Sequence, residues 1–139
     1  MADTFVLDSF ALMALFQDES GAERVEKILE QQDAGEVGVF MSIVNLGEVI
    51  YTMQIRYGLK AAQESLSAVD LSPIDVVLAD RPLTLSAARL KASTGLGYAD
   101  CFAAALAQQL DATIVTGDPD FQKVEDLIPI EWLPPAQSP

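Results

Sequence analysis

The chain has 139 residues, half of them hydrophobic, and carries a formal net charge of −13 at pH 7 from 21 acidic and eight basic side chains. That length suits a single domain able to bury roughly two-thirds of the surface its unfolded chain would expose. Histidine is absent and cysteine occurs once, at Cys101, which excludes histidine-based catalysis, a His/Cys zinc site and an intrachain disulfide.

No apolar run reaches the ~20 residues that a membrane span requires. The opening MADTFVLD lacks the basic segment of a secretory leader, so a cytoplasmic protein without membrane attachment is expected. The charge balance argues against simple electrostatic capture of nucleic acid, whose binders usually present basic surfaces. The eight cations are Arg24, Lys27, Arg56, Lys60, Arg81, Arg89, Lys91 and Lys123; five of them fall within 56–91, where a local basic patch can form.

In chain order, the short continuous apolar run at 4–7 predicts a strand buried on both faces. Asp8 or Ser9 can cap a helix over 10–16, and a second, amphipathic helix follows over 21–32, with Ala22, Val25, Ile28 and Leu29 on one face. Gly35 ends it. A strand over 37–41 leads to Ser42, which caps a long helix reaching residue 57; Gly58 separates this helix from another over 60–69. The stretch 73–78 reads as a third strand and 83–93 as an amphipathic helix closed by Gly95 and Gly97. An alanine-rich, almost wholly apolar helix over 98–110 suits close packing under a sheet. A strand over 112–116, a helical turn over 120–124 and a last strand over 128–133 complete the domain, taken as 1–133, with 134–139 as a tail. Strands alternating with helices imply an α/β fold, a three-layer α/β/α sandwich around a central parallel sheet.

Four acids stand out against this frame. Asp8 follows the first strand and Asp118 the fourth, so both face the carboxyl-end rim where open parallel sheets bind ligands. A helical projection places Ile43, Leu46, Ile50 and Met53 in one apolar arc, with Glu48 at its edge beside Asn45 and Thr52. No Lys or Arg stands three or four positions from Glu48 to form the usual surface ion pair. Asp100 is the only charge between Lys91 and Asp111, in the first turn of a buried helix where the dipole favours a carboxylate.

Each acid also has a plain structural account. Asp8 and Asp118 can cap the helices that follow them, Pro119 being a natural first helical residue, and Glu48 can be a solvated helix side chain. Asp120 can cap or solvate its own turn. Taken together, four acids at the ends of buried elements point to one acidic pocket, which persists mainly when a divalent cation fills it. That chemistry suits an enzyme acting on phosphate esters.

The segments VLDSFALMALF (6–16), SIVNLGEVIY (42–51), LGYADCFAAALA (96–107) and TIVTGDPDF (113–121) together resemble the PIN-domain nucleases, and among them the VapC-type toxins of toxin–antitoxin pairs. The likeness runs from Thr4 to about Trp132, in the family's order; the stretch around Asp100 is its most specific part and the ending at 118–121 a looser one. The resemblance implies the α/β/α fold, a cluster of acids binding Mg²⁺ or Mn²⁺, RNA as substrate, a homodimer and inhibition by a cognate antitoxin. By position the family's acids fall on Asp8, Glu48, Asp100 and Asp118, and its hydroxyl near the last acid on Thr116.

Asp8 and Asp100 are then expected as principal ligands, with Glu48 and Asp118 completing the site and one of them orienting the attacking water. Ser9, Asn45, Thr116 and Asp120 are expected in support, holding carboxylates or waters. The reaction expected is in-line hydrolysis of an RNA phosphodiester, and the resemblance implies 5′-phosphate and 3′-hydroxyl products. Two alternatives are a metal-dependent phosphatase with an aspartyl nucleophile, although Asp8-Ser9-Phe10 lacks the second Asp such enzymes often carry, and a non-catalytic PIN-like metal- or partner-binding module. Cys101 reads as core. Arg81, Arg89 and Lys91 suit a solvated helix better than phosphate contact. Val49, Ile55 and Tyr57 are expected as exposed apolar positions for a second subunit or an antitoxin.

Overall fold

A computed structural model describes residues 3–135. Its elements are β1 (Asp3–Leu7), α1 (Ser9–Phe16), α2 (Ala22–Asp33), β2 (Val37–Ser42), α3 (Ile43–Tyr57) and α4 (Leu59–Leu71). Then follow β3 (Asp75–Val77), α5 (Arg81–Thr94), α6 (Tyr98–Leu110), β4 (Thr113–Thr116), the 3-10 helix Pro119–Val124 and β5 (Ile130–Trp132). Residues 136–139 of the expected tail lie outside the described residues.

All strand pairings are parallel, in the order β3-β2-β1-β4-β5. The chain builds outward from β1 through β2 to β3, then crosses to the other side of β1 for β4 and β5. The boundary between β1 and β4 is therefore the point at which the winding reverses, where parallel sheets open a crevice at their carboxyl ends. The register Leu7↔Val115, continued by one residue, sets Asp8 beside Thr116 at that crevice.

Alternation along the strands separates two cores. Phe5, Leu7, Val39, Met41 and Val115 pack with α1, α2, α3 and the end of α4 on one face. Val6 and Ile114 pack with α5, α6 and the 3-10 helix on the other. Alanine at 103, 104, 105 and 107 keeps α6 thin, so that it lies against β1, β2 and β4 with Cys101 buried among them. This is the α/β/α sandwich expected from the alternation of strands and helices.

The two outer strands are shorter than their apolar runs suggested. β3 covers Asp75–Val77 rather than 73–78, with Leu78 exposed, and β5 covers Ile130–Trp132 rather than 128–133. Ile128 is buried through side-chain packing outside the ladder, the N–H of the buried Leu133 still donates to the Thr116 carbonyl at 2.7 Å just past β5, and short edge strands limit unwanted pairing. Val49, expected at the surface, is completely buried: α3 is flanked by α1, α4 and α6, so its apolar arc is wider than one contact requires. Ile55 and Tyr57 are exposed as expected. Among the described residues no helix is long and apolar enough to cross a membrane.

Candidate metal centre

Asp8 is built into the turn from β1 to α1. Its Oδ1 accepts the Ala11 N–H at 2.9 Å, capping α1, and its Oδ2 accepts the Thr116 hydroxyl at 2.5 Å. The capping role seen in the sequence and a place at the crevice thus coincide in one side chain. Thr116 Oγ1 in turn accepts the Asp118 N–H at 3.0 Å, and Asp118 Oδ1 accepts the Asp120 N–H at 2.9 Å. One chain of hydrogen bonds joins three acids and fixes the turn after β4. Gly117 lets this turn pass Phe10: a Cβ there would collide with the Phe10 ring.

Asp100 enters from the first turn of α6 and meets that turn. Carboxylate oxygens of Asp100, Asp118 and Asp120 lie within 4.8 Å of one another. Asp8 sits deeper, only 1% exposed, and is close enough to Asp100 and Asp118 for their charges to act on it. Glu48 projects from α3 toward Asp100, and Asn45 one turn earlier donates from Nδ2 both to Glu48 Oε1 at 3.2 Å and to the Ala99 carbonyl at 3.0 Å. Asn45 therefore ties α3 to the start of α6 while orienting Glu48. Its Oδ1 is buried without a hydrogen-bond partner among the described residues, the condition a donor or a cation relieves.

The electrostatics follow from this crowding. Burial pushes the Asp8 carboxyl up to about 7 against the pull of the Thr116 and Ala11 donors, and Asp100 and Asp118 raise it further. Burial also raises Asp100 to about 7, helped by Asp118, Glu48 and Asp120, with Lys123 opposing. In both carboxyls burial is the main cause, and the neighbouring like charges add to it. The donor set is all oxygen, which suits a hard divalent cation.

Beside the acids a cleft of about 280 Å³ runs between α1 and α3, with Ser9, Gln17, Glu48, Thr52, Arg56 and Asp118 among its lining residues. The eight residues singled out from the sequence thus fall in one region. Asp120 stands nearer the centre than its expected supporting role. The Asp118-Pro119-Asp120 spacing could have indicated this, because a tight turn returns alternate side chains to one side. Arg56, named from the sequence only within a possible basic patch, and Gln17, which was not named, line the same cleft; the i, i+4, i+8 row of Glu48, Thr52 and Arg56 was the signal for Arg56.

The family model described as the PIN domain matches residues 5–127. No curated protein matches the chain. Among solved structures, VapBC2 from Rickettsia felis, bound to a DNA fragment from its promoter, is similar with a TM-score of 0.72 and 18% identity, over 94% of this chain and 98% of that one. VapC20 of Mycobacterium tuberculosis, a sarcin–ricin loop cleaving toxin, gives a TM-score of 0.70 and 16% identity over 85% of this chain and 92% of its own. DNA-bound VapBC from Salmonella typhimurium gives 0.67 and 20%, over 94% and 98%. At such identities these structures speak for the fold.

Proposed function

The chain belongs to the PIN-domain family, and on that footing we propose that it is a Mg²⁺- or Mn²⁺-dependent endoribonuclease hydrolysing RNA phosphodiester bonds. The observation that carries this reading is the meeting of Asp100, Asp118 and Asp120, with oxygens within 4.8 Å, above a buried Asp8 at the reversal point of the sheet. Asp8, Glu48, Asp100 and Asp118 would hold the ion, with Asp120 as a further ligand. When bound, a divalent ion supplies countercharge for the phosphate and a lowered pKa for the attacking water.

The remaining work falls to the chain itself. Thr116 holds Asp8 in place and, through the Asp118 N–H, holds the turn that presents Asp118 and Asp120. Glu48, steadied by Asn45 and lining the cleft, would orient the attacking water and accept its proton. Attack of the water on phosphorus would break the P–O3′ bond, and the 3′ oxygen, taking a proton from solvent, would leave as a 3′-hydroxyl with a 5′-phosphate on the other product. The aspartyl-phosphatase alternative gains no support, because a 1% exposed Asp8 lacks the open in-line approach to phosphorus that a nucleophile needs, whereas each of its hydrogen-bonded oxygens keeps a lone pair for a cation.

The same reading takes the chain as a cytoplasmic VapC-type toxin, homodimeric and restrained by a cognate antitoxin. Its support is the occurrence of toxin–antitoxin complexes among the solved structures of this fold, together with the exposed Ile55 and Tyr57 on α3.

The test incubates purified protein with total RNA and Mg²⁺, Mn²⁺ or a chelator, and maps the new ends. Metal-dependent cuts carrying 5′-phosphates are expected, and Asp8→Asn and Asp100→Asn should each lose them. Full cleavage by either variant defeats the site assignment. Metal-dependent stabilisation without cleavage of any RNA favours the non-catalytic module.

A further inference from the structure

A centre made of carboxylates repels the polyanion it receives; Lys123 acts on Asp100 from beside the acids, and two other cations are held in ion pairs. Arg24 is bound bidentately to Glu131, with N···O distances of 2.6 and 2.9 Å, and Lys60 lies 3.8 Å from Glu64. Arg56 differs. It is the one basic residue among those lining the cleft, and it has no carboxylate within 4.0 Å among the described residues. Its Nη1 instead donates to Gln17 Oε1 at 2.7 Å, an oxygen that also accepts the Tyr57 hydroxyl at 3.0 Å.

We propose that Arg56, braced by the neutral amide of Gln17, binds a backbone phosphate of the RNA strand away from the scissile linkage and so seats the strand along the cleft. The proposal rests on the ribonuclease reading above. Three features of the geometry support it. Glu48, Thr52 and Arg56 form one row along α3, and eight residues of helix set the Arg56 backbone about 12 Å along the axis from that of Glu48. The guanidinium is held by Gln17 and pairs with none of the acids among the described residues, which leaves it for a neighbouring phosphate. Next, Gln17 is the C-terminal cap of α1, whose N-terminal cap is Asp8, so one short helix ties the buried acid to the brace. Finally, a neutral brace restrains the guanidinium without cancelling its charge and leaves N–H donors in the planar fork that phosphate oxygens match. A cation in the last turn of α3 also favours the helix dipole. That accounts for a positive charge there, but not for the bond across to α1 or the place in the cleft.

The test compares wild type, Arg56→Gln and Arg56→Lys on a labelled, mixed-sequence single-stranded RNA with Mn²⁺, alongside Mn²⁺ affinity measured without RNA. KM should rise about tenfold in Arg56→Gln, with kcat nearly unchanged. The slope of log affinity against log salt should fall by about 0.7, the share of one single-strand phosphate contact. Arg56→Lys should recover the salt slope and part of the KM, and Mn²⁺ affinity should match wild type in both variants. If wild type cleaves and Arg56→Gln retains its KM and salt slope, the phosphate role is overturned while the nuclease reading stands. A loss confined to kcat, or a loss of Mn²⁺ affinity in a variant, overturns it as well. If wild type itself neither binds nor cleaves RNA, the nuclease reading fails and this one with it.

Discussion

Asp8 shows how one side chain can satisfy a structural and a chemical demand together. Its two oxygens accept the Ala11 N–H that caps α1 and the Thr116 hydroxyl, so both ends of the carboxyl group are held by the fold itself. Burial holds it, like Asp100, at about 7, well above the ordinary 3.8. A carboxyl whose pKa is higher in the folded state contributes stability that is fully present below the unfolded value and lost as pH rises through the folded one. Metal-free protein should therefore lose this contribution between about pH 4 and 7. Asp100→Asn removes one charge from the cluster, and its melting temperature at pH 8 without metal should exceed that of wild type by a few degrees. The same variant should lose more than about 10²-fold in metal-dependent cleavage, beyond what loss of a supporting residue costs. A melting curve with chelator and a cleavage time course check the two halves; equal or lower stability would show that the charges do not oppose one another.

At the scale of elements, the site depends on how α3 and α6 are joined. Asn45 is fully buried, and its amide spans Glu48 on its own helix and the Ala99 carbonyl at the start of α6. Asn45→Ala should lower cleavage by roughly 10- to 100-fold through loss of Glu48 orientation. RNA binding should change little, since the row of Thr52 and Arg56 is left in place. Separate measurement of kcat and KM decides this, and a change confined to KM would contradict it. Asn45 was legible as a neighbour of Glu48 from helical spacing alone. Its bond to Ala99, 54 residues away, was not, because no local pattern records which helix will lie alongside. Val49 illustrates the same limit: its spacing on α3 is clear, but its burial depends on α1, α4 and α6 converging there.

Across the whole molecule, the parallel sheet converts distant sequence positions into one rim, and the cation proposed for that rim would act on global stability. Saturation with Mn²⁺ to about 100 times its dissociation constant should stabilise the fold by about 2.7 kcal/mol. At one fixed Mn²⁺ concentration, set to about 100 times the dissociation constant at pH 8, the gain should be smaller at pH 6, because Asp8 and Asp100 would have to shed protons to act as ligands. Thermal unfolding with and without Mn²⁺ at the two pH values checks this. A gain independent of pH would place the ion away from these two acids.

Hydrophobic periodicity, capping residues and glycines are local signals, and they specified the strand–helix alternation, the limits of α3 and α6 and the class of sandwich. The positions of Asp8 and Asp118 after apolar strands were enough to assign both to one edge, since parallel strands share their direction. The approach of Asp100 to the turn carrying Asp118 and Asp120, the depth of Asp8, the Thr116 bridge between β1 and β4 and the Gln17–Arg56 brace were decided by tertiary structure alone. Each depends on strand order and register, and these are settled by the packing of the entire core rather than by any stretch of neighbouring residues.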